Sequence, residues 1–350
     1  MELQKLAEKL HLQDHAASEN SNVMERADHD MGQVLEALGK LGGKPIETLT
    51  AAEARQQPTP TDAVKAILRE KGKDPAKLSA ESGVTTRDLT YPGAAGALPV
   101  RLYMPEQKSD KELPVIVYFH GGGWVIADID VYDAGPRALA KKAKAIVASF
   151  EYRQAPENKF PAAHEDAFAA YKWALDNAAS WGGDNKTVAV AGESAGGNLA
   201  ANVAIMARDK GIQAPAHMAL IYPVAGNDMN TDSYQENANA KPLNKPMMEW
   251  FVKQVVNTPA DTQNPMINLV AAKLSNLPPA TIITAEIDPL MSEGKLLAEK
   301  LEKAGNDVTY KNYEGVTHEF FGMGAVVSKS ADAQDFVAKE LKNSFEAEEK

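Results

Sequence analysis

From about residue 113 onward the chain alternates between short apolar runs and longer alanine-rich stretches. LPVIVYF (113–119), AIVASF (145–150), TVAVA (187–191), HMALIY (217–222), ATIITAE (280–286) and VTYKNY (308–313) read as strands. Most are apolar at nearly every position rather than at every second one, which predicts strands buried on both faces. Between most of them lie helical stretches such as Ala162 to Leu175 and Asn198 to Lys210. Strand and helix in turn predict an α/β architecture with a mostly parallel sheet covered by helices on both faces. Upstream, TTRDLTY and ALPVRLYMP surround a Pro-Gly turn, predicting an antiparallel pair and a sheet of about eight strands.

Two regions break this rhythm. Residues 1 to about 80 are polar and helical, with Leu3, Leu6 and Leu10 on one face, Val34, Leu35, Leu38 and Leu41 forming a second stripe, and Ala63 to Leu68 a third. QQPTPTD (56–62) reads as a breaker between them. The second region is the interval of about sixty residues between Tyr222 and Ala280, which opens on GNDMNTDSYQENANA and continues into Met247, Met248, Trp250 and Phe251. Such a long connection predicts a lid or an inserted subdomain. The expected organisation is a helical segment over 1–80, a first core part over 81–223, an inserted segment over 224–262 and a second core part over 263–350.

A chain of 350 residues with 44% hydrophobic content can bury a full core and carry an accessory region. The net charge of −11 and the lack of any dense Lys/Arg block argue against a nucleic-acid partner. Absence of cysteine excludes disulfides, thiolate metal sites and a cysteine nucleophile. HEDAF (164–168) lacks the second histidine of a zinc motif, so no metal is expected. No window reaches the ~18 apolar residues of a membrane span. The amino terminus lacks a signal-peptide pattern, so a cytoplasmic protein is expected unless a leader has been removed.

The candidate chemistry starts at VAVAGESAGGNLAANV (188–203), where an apolar run passes into a helical one with Ser194 at the junction. Gly192 and Gly196 are small enough to let a sharp strand-to-helix turn present that hydroxyl clear of the sheet, the pattern of a nucleophile elbow. The same turn aims the Ala195 amide at charge developing near the hydroxyl. His120-Gly121-Gly122-Gly123-Trp124 follows LPVIVYF, 74 residues ahead of the elbow serine. Its Gly121 and Gly122 amides can join Ala195 in an oxyanion hole, whereas no lysine or serine follows in the arrangement of a phosphate loop.

A serine nucleophile needs a base and an orienting acid. Of seven histidines, His318 alone follows the final strand candidate, whereas His217 opens a strand, His164 starts a helix, His120 belongs to the glycine loop, and His11, His15 and His29 lie near the amino terminus. Asp288 directly follows ATIITAE and is the first choice for the acid, with Glu286 second.

Taken together the motifs resemble the hormone-sensitive-lipase family of esterases, bacterial family IV, within the α/β-hydrolase fold. YFHGGGWVIADIDVYD (118–133), EYRQAPENKFPAAHEDAFAAYKWAL (151–175), VAVAGESAGGNLAANVA (188–204), LPPATIITAEIDPLMSEG (277–294) and VTYKNYEGVTHEFFGM (308–323) carry the likeness. The segment from about 28 to 60 looks like that family's cap. The resemblance implies an α/β-hydrolase core under a helical cap built from the amino-terminal segment and the insertion. It also implies Ser194, Asp288 and His318 as the catalytic triad, Gly121, Gly122 and Ala195 as the oxyanion hole, no cofactor, and a tendency to homodimerise. The chain departs from the family's common pattern at Glu193, Ala127, Gln154 and Asn158, which bears on substrate detail rather than on the reaction.

The expected function is a carboxylic ester hydrolase acting on short- to medium-chain acyl esters of small molecules through an acyl-enzyme. An amidase or peptidase with the same triad, and a non-catalytic ligand receptor, are the alternatives. Trp124, Met247, Met248, Trp250 and Phe251 are candidates to line an acyl or alcohol pocket, set against simple packing on the core. Arg153 and Glu157 are read as structural rather than as a substrate-binding ion pair.

Overall fold

The computed structural model describes residues 25–106 and 111–348. The stripe of Leu3, Leu6 and Leu10, with His11 and His15, lies outside the described residues. The apolar runs become strands β1 (Val84–Pro92), β2 (Ala97–Pro105), β3 (Leu113–Phe119), β4 (Ile146–Phe150), β5 (Gly183–Glu193), β6 (Met218–Ile221), β7 (Ala280–Ile287) and β8 (Val308–Thr317). They form one eight-stranded sheet in the order β1-β2-β4-β3-β5-β6-β7-β8. β1 and β2 are antiparallel, as is the β2–β4 pair, and every pairing from β4 across to β8 is parallel. The α/β-hydrolase architecture expected from the sequence is therefore the one observed.

The unbroken hydrophobicity of β3 has a direct cause. Val115, Val117 and Phe119 enter one buried cluster, and Ile116 and Tyr118 enter the other, on the opposite face. Helices α6 (Ala162–Asn177), α7 (Ala195–Lys210) and α10 (Met291–Lys303) cover the first face, and α5 (Ala134–Ala143) and α11 (Ser328–Glu348) cover the second. Helices α1 (His29–Lys40) and α3 (Pro60–Glu70) join the second cluster through Met31, Val34, Leu35, Ala63, Val64, Ile67 and Leu68. Between and after them lie α2 (Ala51–Ala54) and α4 (Pro75–Ala80), and the interval after β6 contains α8 (Asp232–Glu236) and α9 (Lys245–Val255).

Two sequence expectations are corrected here. QQPTPTD is more than a breaker, because α3 begins inside it. The Thr59 hydroxyl accepts from the Asp62 amide, the Asp62 carboxylate accepts from the Thr59 amide, and Pro60 fills the first helical position where no N–H is needed. Leu41 does not extend the stripe of α1, since the helix ends at Lys40 and Leu41 stands exposed as the cap residue.

Arg153 and Glu157 do not pair with each other. Arg153 binds the fully buried Asp166 at 2.7 Å, and the same carboxylate accepts the amides of Ala94 and Arg153, which ties the β1–β2 turn, the turn after β4 and α6 together. Glu157 instead pairs with Arg55 at 2.7 Å. Replacing Arg153 by methionine would leave a buried carboxylate without its cation. The expected loss is about 3 kcal/mol of unfolding free energy, read from urea denaturation.

Candidate active site

The parallel register places four strand ends at one edge of the sheet. Phe119 pairs with Gly192, Glu193 with Ile221, and Ile287 with Thr317, so His120, Ser194, Asp288 and His318 each follow directly on the carboxyl end of a strand. This is where open α/β sheets collect their chemistry.

Ser194 sits at φ 56°, ψ −117°, a conformation that side chains rarely adopt, between β5 and α7. The elbow closes so tightly that a methyl group on Gly192 would lie 2.2 Å from the Gly196 carbonyl oxygen. One on Gly196 would lie 2.0 Å from the Phe119 carbonyl oxygen. Both glycines are thus required by backbone packing on each other and on the end of β3. The Ser194 amide donates to the Ile221 carbonyl at 2.8 Å and its carbonyl accepts from Val224 at 3.1 Å, which fixes the strained turn from both sides.

Ser194 Oγ lies 2.9 Å from His318 Nε2, and His318 Nδ1 lies 2.6 Å from Asp288 Oδ2. The second carboxylate oxygen of Asp288 accepts the Leu290 amide at 2.9 Å, so the acid's orientation is set independently of the histidine. Burial disfavours the charged form of His318, but the Asp288 carboxylate, with Glu319 and Glu193 adding to it, raises the imidazole's pKa above its ordinary value. Asp288 is fully buried and Ser194 and His318 nearly so. Glu286, the second choice for the acid, faces elsewhere. It accepts the Gly315 amide at 2.7 Å and pairs with Arg26.

Gly122 (φ 97°) and Gly123 (φ 60°) adopt the left-handed region that favours glycine, and the amides of Val125 and Ile126 both return to the Gly122 carbonyl. His120 anchors this loop. Its ring stacks on Tyr152 with centroids 4.4 Å apart, while Nε2 faces the Glu151 carboxylate at 3.2 Å. Among the described residues the amides of Gly121, Gly122 and Ala195 donate to no protein acceptor, leaving them free for a ligand oxygen.

A small cavity of about 80 Å³ opens beside Ser194 and His318, and it is lined by Trp124, Met247, Met248 and Phe251 among others. It adjoins an open cleft of about 1070 Å³ that shares Gly122, Ile126, Pro242, Met247 and Glu319 with it. Trp250 is not part of either lining. The helical turn of α9 directs it away from the cavity, and its indole N–H donates to the Leu49 carbonyl at 3.0 Å. That contact joins the insertion to the amino-terminal segment.

The sequence pattern of a family described as alpha/beta hydrolase fold matches residues 116–322. The chain belongs to the α/β-hydrolase family. A carboxylesterase named NlhH from Mycobacterium tuberculosis is 38% identical over 304 residues, covering 86% of this chain and 92% of that protein. An ethyl acetate hydrolase from Pseudomonas putida is 35% identical, covering 88% and 95%. The solved structure of a hyperthermophilic esterase from the archaeon Pyrobaculum calidifontis superposes with a TM-score of 0.79 at 36% identity, covering 89% and 96%. The hormone-sensitive-lipase likeness read from the motifs is borne out by these relatives.

Sequence reasoning missed several parts of this α/β-hydrolase's site. Glu193 is buried beneath the elbow, where the hydroxyls of Tyr118 and Tyr222 donate to it and burial pushes its carboxyl up to about 7. Asn237 donates to the carbonyls of Glu286 and Asp288 and accepts from Arg26, tying the acid's loop to the insertion and to the amino-terminal segment. Glu319, next to the base, takes a left-handed φ of 67° and accepts from the Tyr132 hydroxyl at 3.2 Å. An adjacent acid beside a histidine was visible in THEFF, but neither its conformation nor its tyrosine partner could be read from the sequence.

Proposed function

We propose that this protein is a carboxylic ester hydrolase working through an acyl-enzyme on Ser194. The observation that carries the proposal is the unbroken line from the Ser194 hydroxyl through His318 to the buried Asp288 carboxylate, beside three amides free to receive an oxyanion. His318 takes the serine proton as Oγ attacks the ester carbonyl, and the imidazolium is stabilised by Asp288. The amides of Gly121, Gly122 and Ala195 receive the negative charge that develops on the carbonyl oxygen. His318 then returns the proton to the departing alcohol, and water releases the acid by the same steps reversed. The relatives named carboxylesterase and ethyl acetate hydrolase support the same reading. The helices over 25–80 and the insertion over 224–262 serve as the cap above the site. Among the described residues no helix is long and apolar enough to cross a membrane.

Labelling with an organophosphate tests the reading directly. One mass increment on the peptide that contains Ser194, with loss of p-nitrophenyl ester turnover, is the expected result. A label elsewhere, or none, removes Ser194 as nucleophile. The size of the smaller cavity adds an expectation about the acyl group. Among p-nitrophenyl esters, kcat/KM should peak near about four carbons and fall about tenfold by about ten, since overfilling a packed site costs on the order of 1–3 kcal/mol. Replacing Phe251 by alanine should move that peak to longer chains.

A further inference from the structure

In an acyl-enzyme mechanism the acyl group stays on the serine while the alcohol leaves first. The smaller, more sheltered cavity walled by Trp124, Met248 and Phe251 suits the group that stays, and the wider cleft suits the group that departs. Glu319 lines both spaces, so it stands where the alcohol portion passes from one to the other. Apart from His318 and the Tyr234 phenol, it is the one ionisable group among the residues lining the cavity, and neither lysine nor arginine is there.

The residue is held at some cost. A side chain at φ 67° is strained, and the carboxylate has only the Tyr132 hydroxyl as a side-chain partner in the hydrogen bonds described. Burial holds its carboxyl above the ordinary range, with His318 and the Tyr132 hydroxyl acting in the opposite direction. An undersolvated carboxylate beside a mobile product is a ready partner for a cation. Resting on the ester-hydrolase reading, we propose that Glu319 is a specificity-determining residue, selecting esters whose alcohol portion carries a positively charged group.

Acetylcholine and 3,3-dimethylbutyl acetate have the same acyl group and nearly the same shape but differ by one positive charge. The wild-type protein should show kcat/KM about fivefold higher for the charged ester at low salt, the scale of a partly solvated ion pair. The preference should shrink as ionic strength rises. In Glu319→Gln the ratio should fall to about 1, and Glu319→Gly, which relieves the left-handed backbone, should behave alike. Because the readout is a ratio on one preparation, partial misfolding of a variant does not alter it. A wild-type ratio of 1 or below, or a ratio unchanged in both variants, overturns the proposal. If the wild-type protein hydrolyses neither ester nor any p-nitrophenyl ester, the ester-hydrolase reading itself falls, and this inference with it.

Discussion

Replacing Ser194 by alanine is expected to lower kcat for p-nitrophenyl butyrate by about 10⁴-fold or more, because the members of a triad act as a unit. The reasons lie in the positions already described. Without Oγ, His318 would have no proton to take and no covalent intermediate would form, while the amides proposed to receive the carbonyl oxygen, at 121, 122 and 195, would be unchanged. A residual acceleration over the uncatalysed reaction should therefore survive. The fold should not suffer, because the strained turn is held by main-chain bonds to Ile221 and Val224 that alanine retains. Turnover measured beside the far-ultraviolet circular dichroism spectrum checks both halves, and near wild-type activity in a folded variant would exclude the assigned nucleophile.

Asp288→Asn should be almost as damaging, by about 10⁴-fold in kcat, for a different reason. An amide in place of the carboxylate can offer an N–H to Nδ1, which favours the tautomer that carries its proton on Nε2, where Ser194 needs an acceptor. The pH profile supplies an independent check. The working form of His318 is neutral, and the Asp288 carboxylate is the chief influence that raises its pKa against burial. In the wild-type protein kcat/KM should thus fall on the acid side at a pH above the ordinary histidine value. Removing the carboxylate lets burial prevail, so the acid limb of the asparagine variant should move to lower pH while its plateau drops. A limb that stayed in place would mean that some other group controls it.

How much of this could be read before the fold was known differs from residue to residue. The central strands were legible because their runs are apolar on both faces, β1 and β2 because they flank a Pro-Gly turn, and Ser194 because its glycines at 192 and 196 answer a steric demand that any sequence with this turn must meet. Asp288 could be chosen because it follows directly on a strand candidate, and His318 because it alone lies in the loop after the final one. Trp250 could not be separated from Phe251 by sequence, since adjacent positions on a helix differ by about 100° and only the packing partner decides which faces the cavity. Glu193 and Glu319 were hidden for another reason. Their surroundings are tyrosines from distant strands and loops, Tyr118, Tyr222 and Tyr132, whose approach depends on the assembled sheet. The strand ends of β5 and β8 also ran further than their apolar runs, because neighbouring strands extend pairing beyond the hydrophobic stretch.

The indole of Trp250 reaches a carbonyl 201 positions earlier in the chain. The insertion and the amino-terminal segment are accordingly stitched to each other although they lie far apart in the chain. A graft of the 224–262 insertion into a relative would arrive without the acceptor its tryptophan requires unless the recipient offered an equivalent of Leu49. Exchanges aimed at new substrates should move both stretches together.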